Sequence, residues 1–356
     1  MKIVYLVIFS LMLFVQQLSA GEEAPVKQDA EKKSCQKQIA EKEQKEEKED
    51  KQEKKGEKEE NKDKVEKQEK KDKEEKKEEK DKEENNKKAE EEKTLKVGNY
   101  ALPTSQQPGP LVSFGERIVG KDVLQFLLFG DHFQRQNGHF TDLLPGFVWG
   151  MTDAFSIFWS MPYAVTYKDR ASHSSGIEDV FVQFEYAFYS LEKRYYTNQA
   201  TLVCSVLFPT GSNRATPPTG FGSPSYFLGA TYNHTELDWL YFGSIGSLLT
   251  SCTKHCTKFG PQLFYEFGFG RNIPSPKGWI YAWMVEIDGL YSCRNRIHGV
   301  TDPNSGGNLI IITPSIWVSN EKFIFQLGVG GPLYQHLFGN QIKYLYHIIF
   351  EAGYTF

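Results

Sequence analysis

The sixteen residues Gln341-Ile-Lys-Tyr-Leu-Tyr-His-Ile-Ile-Phe-Glu-Ala-Gly-Tyr-Thr-Phe356 decide the fold. Ile342, Tyr344, Tyr346, Ile348, Phe350, Ala352, Tyr354 and Phe356 fall on one face, and Lys343, Leu345, His347, Ile349, Glu351, Gly353 and Thr355 on the other. Period-two alternation over this length is a strand pattern. One face is broad, apolar and aromatic, and the other is small, polar and partly charged.

The pattern recurs upstream. Trp279, Tyr281, Trp283, Val285 and Ile287 oppose Ala282, Met284, Glu286 and Asp288. Phe323, Phe325, Leu327 and Val329 oppose Ile324, Gln326, Gly328 and Gly330, and Val180, Val182, Phe184 and Tyr186 oppose Gln183, Glu185 and Ala187. Strands whose outer face is aromatic near the ends and whose inner face is wet suit a membrane barrel. Lipid leaves no strand edge unpaired, so such strands must close on themselves. The expected fold is all-β, an antiparallel transmembrane β-barrel of about twelve strands, near 123–134, 139–150, 154–166, 177–190, 196–208, 223–234, 238–250, 259–271, 279–292, 308–319, 321–331 and 341–356; ten or fourteen strands also fit. With both barrel termini in the periplasm, long connections belong outside (167–176, 209–222, 251–258, 293–307 and 332–340) and short ones inside, although the first outer connection, 136–138, is short.

Charge divides the chain. Residues 21–96 hold 25 basic and 28 acidic residues, whereas the 260 residues 97–356 hold 16 and 18. Neither part has the positive excess of a nucleic-acid binder. Residues 1–20 have Lys2, an apolar run from Ile3 to Val15 and a small-residue ending at Ala20, the pattern of a signal peptide. The run is shorter than the roughly 20 residues of a spanning helix. The Lys/Glu-rich arm, 21–96, lacks a heptad seam and the apolar surface for a core, so it is a disordered or single-helix spacer. Residues 97–120, with Pro103, Pro108, Gly109 and Pro110, form a linker, and the barrel spans 121–356. The expected location is a bacterial outer membrane with the arm in the periplasm. Outer-membrane lipid and a small-molecule solute are the expected partners, and the cell wall or a periplasmic protein is the candidate partner for the arm.

The inward-facing charges are the candidate lumen residues: Glu185, Glu266, Glu286, Asp288, Lys343, His347 and Glu351. Buried charges need partners, so Lys343 with a carboxylate is the default pair. Such residues either hold the lumen together or line a solute path, where charge sets selectivity. Gly268, Gly270, Gly328 and Gly330 on strands would leave lumen space for a solute. Cys252, Cys256 and Cys293 fall at outer loops, where Cys293 with either Cys252 or Cys256 makes the simplest disulfide, and Cys204 reads as an inert lipid-facing thiol. Cys252-Thr-Lys-His-Cys256 lacks a second ligand pair, so no metal site is assigned, and no cofactor is implied.

The ending, with Tyr354 and Phe356 on the apolar face, resembles the terminal-aromatic signature that the barrel-assembly machinery recognises in outer-membrane barrels. His132, Asn137 and Gly138 loosely resemble the frame of twelve-stranded outer-membrane phospholipases, but Gln134 stands where their Ser would be. Without a hydroxyl nucleophile acyl transfer has no starting point, so no enzyme is expected. Finally, Pro209-Thr-Gly211 followed by Thr219-Gly-Phe-Gly222 resembles the outer-membrane family associated with the meta-pathway of phenol degradation, on Pro209, Thr210, Gly211, Thr219, Gly220 and Gly222. Pro224 and Ser225 stand where that family often has an acid. The resemblance implies a transporter or porin-like channel for a small, often hydrophobic, solute. The alternative is a non-conducting barrel acting as anchor or adhesin, tethered by the charged arm.

Overall fold

The computed structural model describes residues 97–114, 117–253 and 257–356. The expected signal peptide and arm, with Cys35, and also Cys256, lie outside these residues. The barrel strands are β1 (Leu124–Arg135), β2 (Gly138–Thr152), β3 in two pieces (Phe155–Ser160 and Tyr163–Asp169), β4 in two pieces (Ser172–Ile177 and Val180–Glu192), β5 (Tyr196–Phe208), β6 (Ser225–Glu236), β7 (Trp239–Thr250), β8 (Gln262–Ile273), β9 (Trp279–Ser292), β10 (Gly307–Asn320), β11 (Phe323–Leu337) and β12 (Tyr344–Thr355). Each pairs antiparallel with its neighbours, and β1 pairs with both β2 and β12, so the twelve strands form a closed barrel, as the alternation required. Gln125 opposite Thr355 begins the closing register, and Phe356 N–H donates to the Leu124 carbonyl at 3.0 Å.

β3 and β4 are interrupted side by side. Met161-Pro162 breaks β3, and Glu178-Asp179 breaks β4. Pro162 offers no N–H to the ladder, while its carbonyl accepts from Glu178 N–H at 3.0 Å and bridges the two breaks.

Two expected connections differ. Residues 167–176 are not a loop: β3 and β4 run on to a tight turn at Arg170-Ala171, with Arg170 at φ 56°. Likewise β11 continues through Pro332 to Leu337. Between β7 and β8 and between β9 and β10 the loops carry a small three-stranded sheet of Thr257–Lys258, Arg296–Ile297 and Val300–Thr301.

The outward face is the apolar one. Ile245, Phe267, Ile316 and Val329, all near mid-strand, are more than half exposed. Trp149, Trp279, Phe323 and Phe356 lie towards the rim where β1 begins, and Tyr226, Tyr291 and Tyr334 towards the opposite, loop-bearing rim. An uncovered apolar wall between two aromatic belts is stable in lipid, not in water.

The inward face is occupied. Residues 97–114 and 117–120 run inside the barrel, entering at the first rim and returning to it at β1. Asn99 anchors the entry: its N–H donates to Leu237 carbonyl at 2.7 Å, and its Nδ2 donates to the carbonyls of Glu236 and Trp239. Gly98 sits at φ 60°, and a Cβ there would collide with that Leu237 carbonyl oxygen, a place for glycine alone. Gln106 then donates to Thr355 Oγ1 at 2.6 Å and accepts from Ser319 Oγ through its carbonyl at 2.7 Å, joining β12 to β10. Apolar contacts with the inserted segment complete the interior: Leu102 with Ile280, Ala282, Trp317 and Ile324, and Val119 with Leu127, Phe129, Val148 and Phe158.

Candidate functional site: an acid-lined, occupied lumen

Strand parity places Glu286 and Asp288 on the inner face of β9, with Glu266 of β8 directly opposite Asp288. Glu286 has no exposed surface. Its carboxylate receives three successive backbone N–H groups, from Leu111 at 2.8 Å, Val112 at 3.0 Å and Ser113 at 3.1 Å. Convergent amides of this kind form an anion-holding concavity, here wrapped around a side chain of the same protein. Ser113 Oγ contacts Glu286 Oε2 at 3.2 Å and Asp288 Oδ1 at 2.6 Å, and Phe114 N–H donates to Glu266 at 3.1 Å. Hydrogen bonds to a charged group are worth about 1.5–3 kcal/mol each. Asp288 Oδ2 is buried without a partner.

A second anchor lies across the lumen. Arg117 N–H donates to Glu185 at 2.6 Å, and its guanidinium meets Glu351 at 3.1 Å. The guanidinium also lies over Phe129, 4.4 Å from the ring centre, which adds a cation–π contact. The expected Lys343–carboxylate pair is not formed. Lys343 is exposed ahead of β12, and the cation beside Glu185 and Glu351 is Arg117. His347 is buried against Thr313 Oγ1 at 2.8 Å and Phe133.

The inner glycines open space, and the inserted segment fills part of it. A Cβ on Gly328 would lie 2.7 Å from Leu111 Cδ2, and one on Gly229 would lie 2.7 Å from the Phe114 ring. Phe114 packs edge-on against Phe227 at 4.8 Å. Gly268 lies under Phe242, Gly270 under Met284 and Gly330 under His347. Beside residues 100–110 a cavity of about 280 Å³ persists against the wall, lined by Tyr100, Gln107, Arg194, Thr197, Gln199 and Thr235.

The Pro-Thr-Gly segment is not in this site. Asp179, in the break of β4, accepts from Gly211 N–H at 2.9 Å and Phe221 N–H at 2.8 Å. Thr210 Oγ1 accepts from Val180 N–H and donates to Glu178 carbonyl, while Thr219 Oγ1 donates to Ile177 carbonyl. Gly220 lets the chain pass against Gly211 and Asp179, and Gly222 sits at φ 70° over Asn213. Pro209 follows β5 directly. These residues therefore fasten a loop.

Cys252 and Cys293 are both free thiols, so neither forms the expected disulfide. Cys204 is free and half-buried. Tyr354 packs 5.0 Å from both Phe323 and Phe356 on the lipid face, with Phe356 70% exposed.

Several site residues escaped the sequence reading: Asn99, Gln106, Ser113, Arg117 and Asp179, together with a second acidic group. In that group Asp131 stands opposite Asp142 across β1 and β2, with Tyr167 and Glu178 beside Asp142, and Asp142 Oδ1 and Glu178 Oε1 are buried without a partner. A usable signal existed for Arg117. The inward acids outnumbered the cation that parity assigned to a strand, Lys343, and the segment entering the barrel carried another, Arg117.

Fold and lumen together define a transmembrane β-barrel whose interior is partly filled by its own chain. No protein family model and no curated protein matches the sequence. Among solved structures it is similar to a COG4313 outer membrane channel from Pseudomonas putida F1, at 14% identity over 70% of this chain and 99% of that one, with a TM-score of 0.53. Weaker likenesses include LpxR from Salmonella typhimurium (9% identity, 64% of this chain, 99% of that one, TM-score 0.41) and the NanC porin (9%, 65%, 98%, 0.37). The first of these likenesses supports the barrel fold.

Proposed function

We propose that the chain is a gated outer-membrane channel for a small solute, with the stretch preceding β1 as the gate. The observation that carries this reading is how the segment is held. Its central residues hang from Glu286, Glu266, Glu185 and Glu351 through backbone amides and one guanidinium, contacts that water can replace. Withdrawal of the segment would leave an acid-lined bore suited to cations or polar neutral solutes. The resemblance on 209–222 to the phenol-degradation-associated family and the likeness to an outer membrane channel both favour transport. In this reading the first rim faces the periplasm, where the arm is a tether, and the terminal aromatics address the barrel-assembly machinery.

A second reading, a non-conducting anchor or adhesin, is favoured by the packing of Leu102, Val119 and Phe114 into the interior. Single-channel recording in planar bilayers separates them. The full chain should give rare or small openings, and the chain lacking residues 97–114 should give large, steady ones. Silence in both would sink the channel reading.

A further inference from the structure

At the loop-bearing rim, one stretch of the outward wall is unlike the rest. Gln134 of β1, His139 of β2, Lys168 of β3 and His173 of β4 stand in one cross-strand row, His139 opposite Gln134 and Lys168, and Lys168 opposite His173. Their parity is outward, because Phe140 and Tyr167, the next pair along, point into the lumen and contact each other at 4.9 Å. A few residues down the same strands, Leu143, Tyr163, Val165 and Ile177 are exposed apolar wall. At about 3.3 Å per residue, the row stands one or two turns of pleat above that wall. This is the depth at which lipid headgroups begin.

Elsewhere on this rim Tyr226, Leu249, Leu263, Tyr291 and Leu333 make the outward wall apolar, and Lys343, ahead of β12, adds an exposed cation beside β1. On the paired strands the basic row runs along β2–β4. Arg170 caps it at the exposed hairpin turn, and an open hollow of about 500 Å³ lies among Gln134, Asn137, His139, Lys168 and Arg170. Neither Lys168 nor Arg170 forms an ion pair among the described residues. Asp169, between them in sequence, lies opposite Gly138 on the inward parity.

Two cations and two imidazoles beside a hollow, immediately above an apolar wall, match a phosphate carried on an acyl chain. Lys and Arg give short charge-assisted bonds to phosphate oxygens, and a lipid presents its phosphate at this depth while its chains cover the wall below. We propose that His139, Lys168, Arg170 and His173 bind the phosphorylated headgroup of a membrane lipid in the leaflet at the loop rim. With the outer-membrane placement proposed above, on which the choice of lipid rests, that lipid is a phosphorylated glycolipid.

The test is binding of bisphosphorylated lipid A to the full-length protein in neutral detergent, followed by native mass spectrometry. Wild type should retain it, and the double variant K168Q/R170Q should bind at least tenfold more weakly. Removing two cations from the opposite rim, K277Q/K322Q, should change nothing. Lipid A stripped of phosphate should bind wild type no better than the double variant does, and inorganic phosphate at matched concentration should not compete. Equal retention by wild type and K168Q/R170Q, equal retention of the stripped lipid, or displacement by inorganic phosphate would each overturn the proposal. Unboiled gel migration confirms that the variants are folded, and K168Q alone serves if the double variant is not. Binding needs no current, so a barrel that conducts but ignores the lipid refutes this site alone. One that binds lipid and never conducts refutes only the channel.

Discussion

Ser113 gives Glu286 both its backbone N–H, at 3.1 Å, and its hydroxyl, at 3.2 Å, and the same hydroxyl reaches Asp288 at 2.6 Å. One small residue of the inserted segment thus sits between two buried acids of one strand. Ser113→Ala should loosen this seat by about 1.5–3 kcal/mol, the usual worth of a hydrogen bond to a charged partner after competition with water. Glu286→Gln should cost more, because its amide nitrogen would face N–H donors. Open probability in bilayers should rise in the order wild type, S113A, E286Q. An unchanged open probability in E286Q would show that the segment does not gate.

Arg117 is the cation beside Glu185 and Glu351. Arg117→Met leaves the buried Glu351 carboxylate without its partner, while Glu185 keeps the backbone N–H of residue 117, and removing one partner of a buried pair costs about 3–5 kcal/mol. The temperature at which the compact unboiled gel band is lost should fall clearly. Adding Glu351→Gln should recover part of that fall. Arg117→Lys should lie between, since an ammonium keeps the charge but not the flat stacking over Phe129. No recovery in the double variant would refute the pairing as the cause.

The legible parts of the fold were those where lipid writes the pattern. β12 alternates from Tyr346 to Tyr354 because every second position meets acyl chains, and the membrane-facing parts of the other strands follow the same rule. Legibility stopped where the wall leaves the apolar layer. Ser172–Ile177 reads Ser-His-Ser-Ser-Gly-Ile and carries no apolar alternation, yet it pairs with β3 as a strand. Lys343 was misplaced for a related reason: the β1–β12 register shifts between Tyr346 and Tyr344, so parity does not carry past Tyr346. The insertion of residues 97–120 was hidden more deeply. Their Pro and Gly content says only that they are irregular, and nothing local says that Leu111 will meet Glu286, 175 residues away. The acids at 185, 266, 286, 288 and 351 were found by parity, but what they hold could come only from the closed barrel.

The glycines opposite the segment give a steric test. Gly229 faces the Phe114 ring, which is also fixed by Phe227. Gly229→Val should expel Phe114 and raise conductance while the barrel keeps its folded migration, because the wall itself gains only a β-branched residue that suits a strand. Phe114→Ala alone should raise conductance in the same way, and adding it to G229V should change little further. A G229V barrel with unchanged currents would mean that Phe114 does not block the path.

Asp179 makes a prediction about the loop rather than the lumen. It is 6% exposed, and its two oxygens each take one backbone N–H of the 209–224 loop. Asp179→Ala strands the Gly211 and Phe221 amides, at about 1.5–3 kcal/mol for each charge-assisted bond lost. Local opening governs proteolysis when reclosing is fast, and 1.4 kcal/mol is about tenfold in population. Cleavage within 209–224 by added protease should therefore accelerate at least tenfold, with folded migration and channel currents as in wild type. Asp179→Asn should accelerate it less, since one carbonyl acceptor survives. If cleavage is unchanged in D179A, Asp179 does not hold the loop; if currents change with it, the Pro-Thr-Gly segment belongs to the solute path after all.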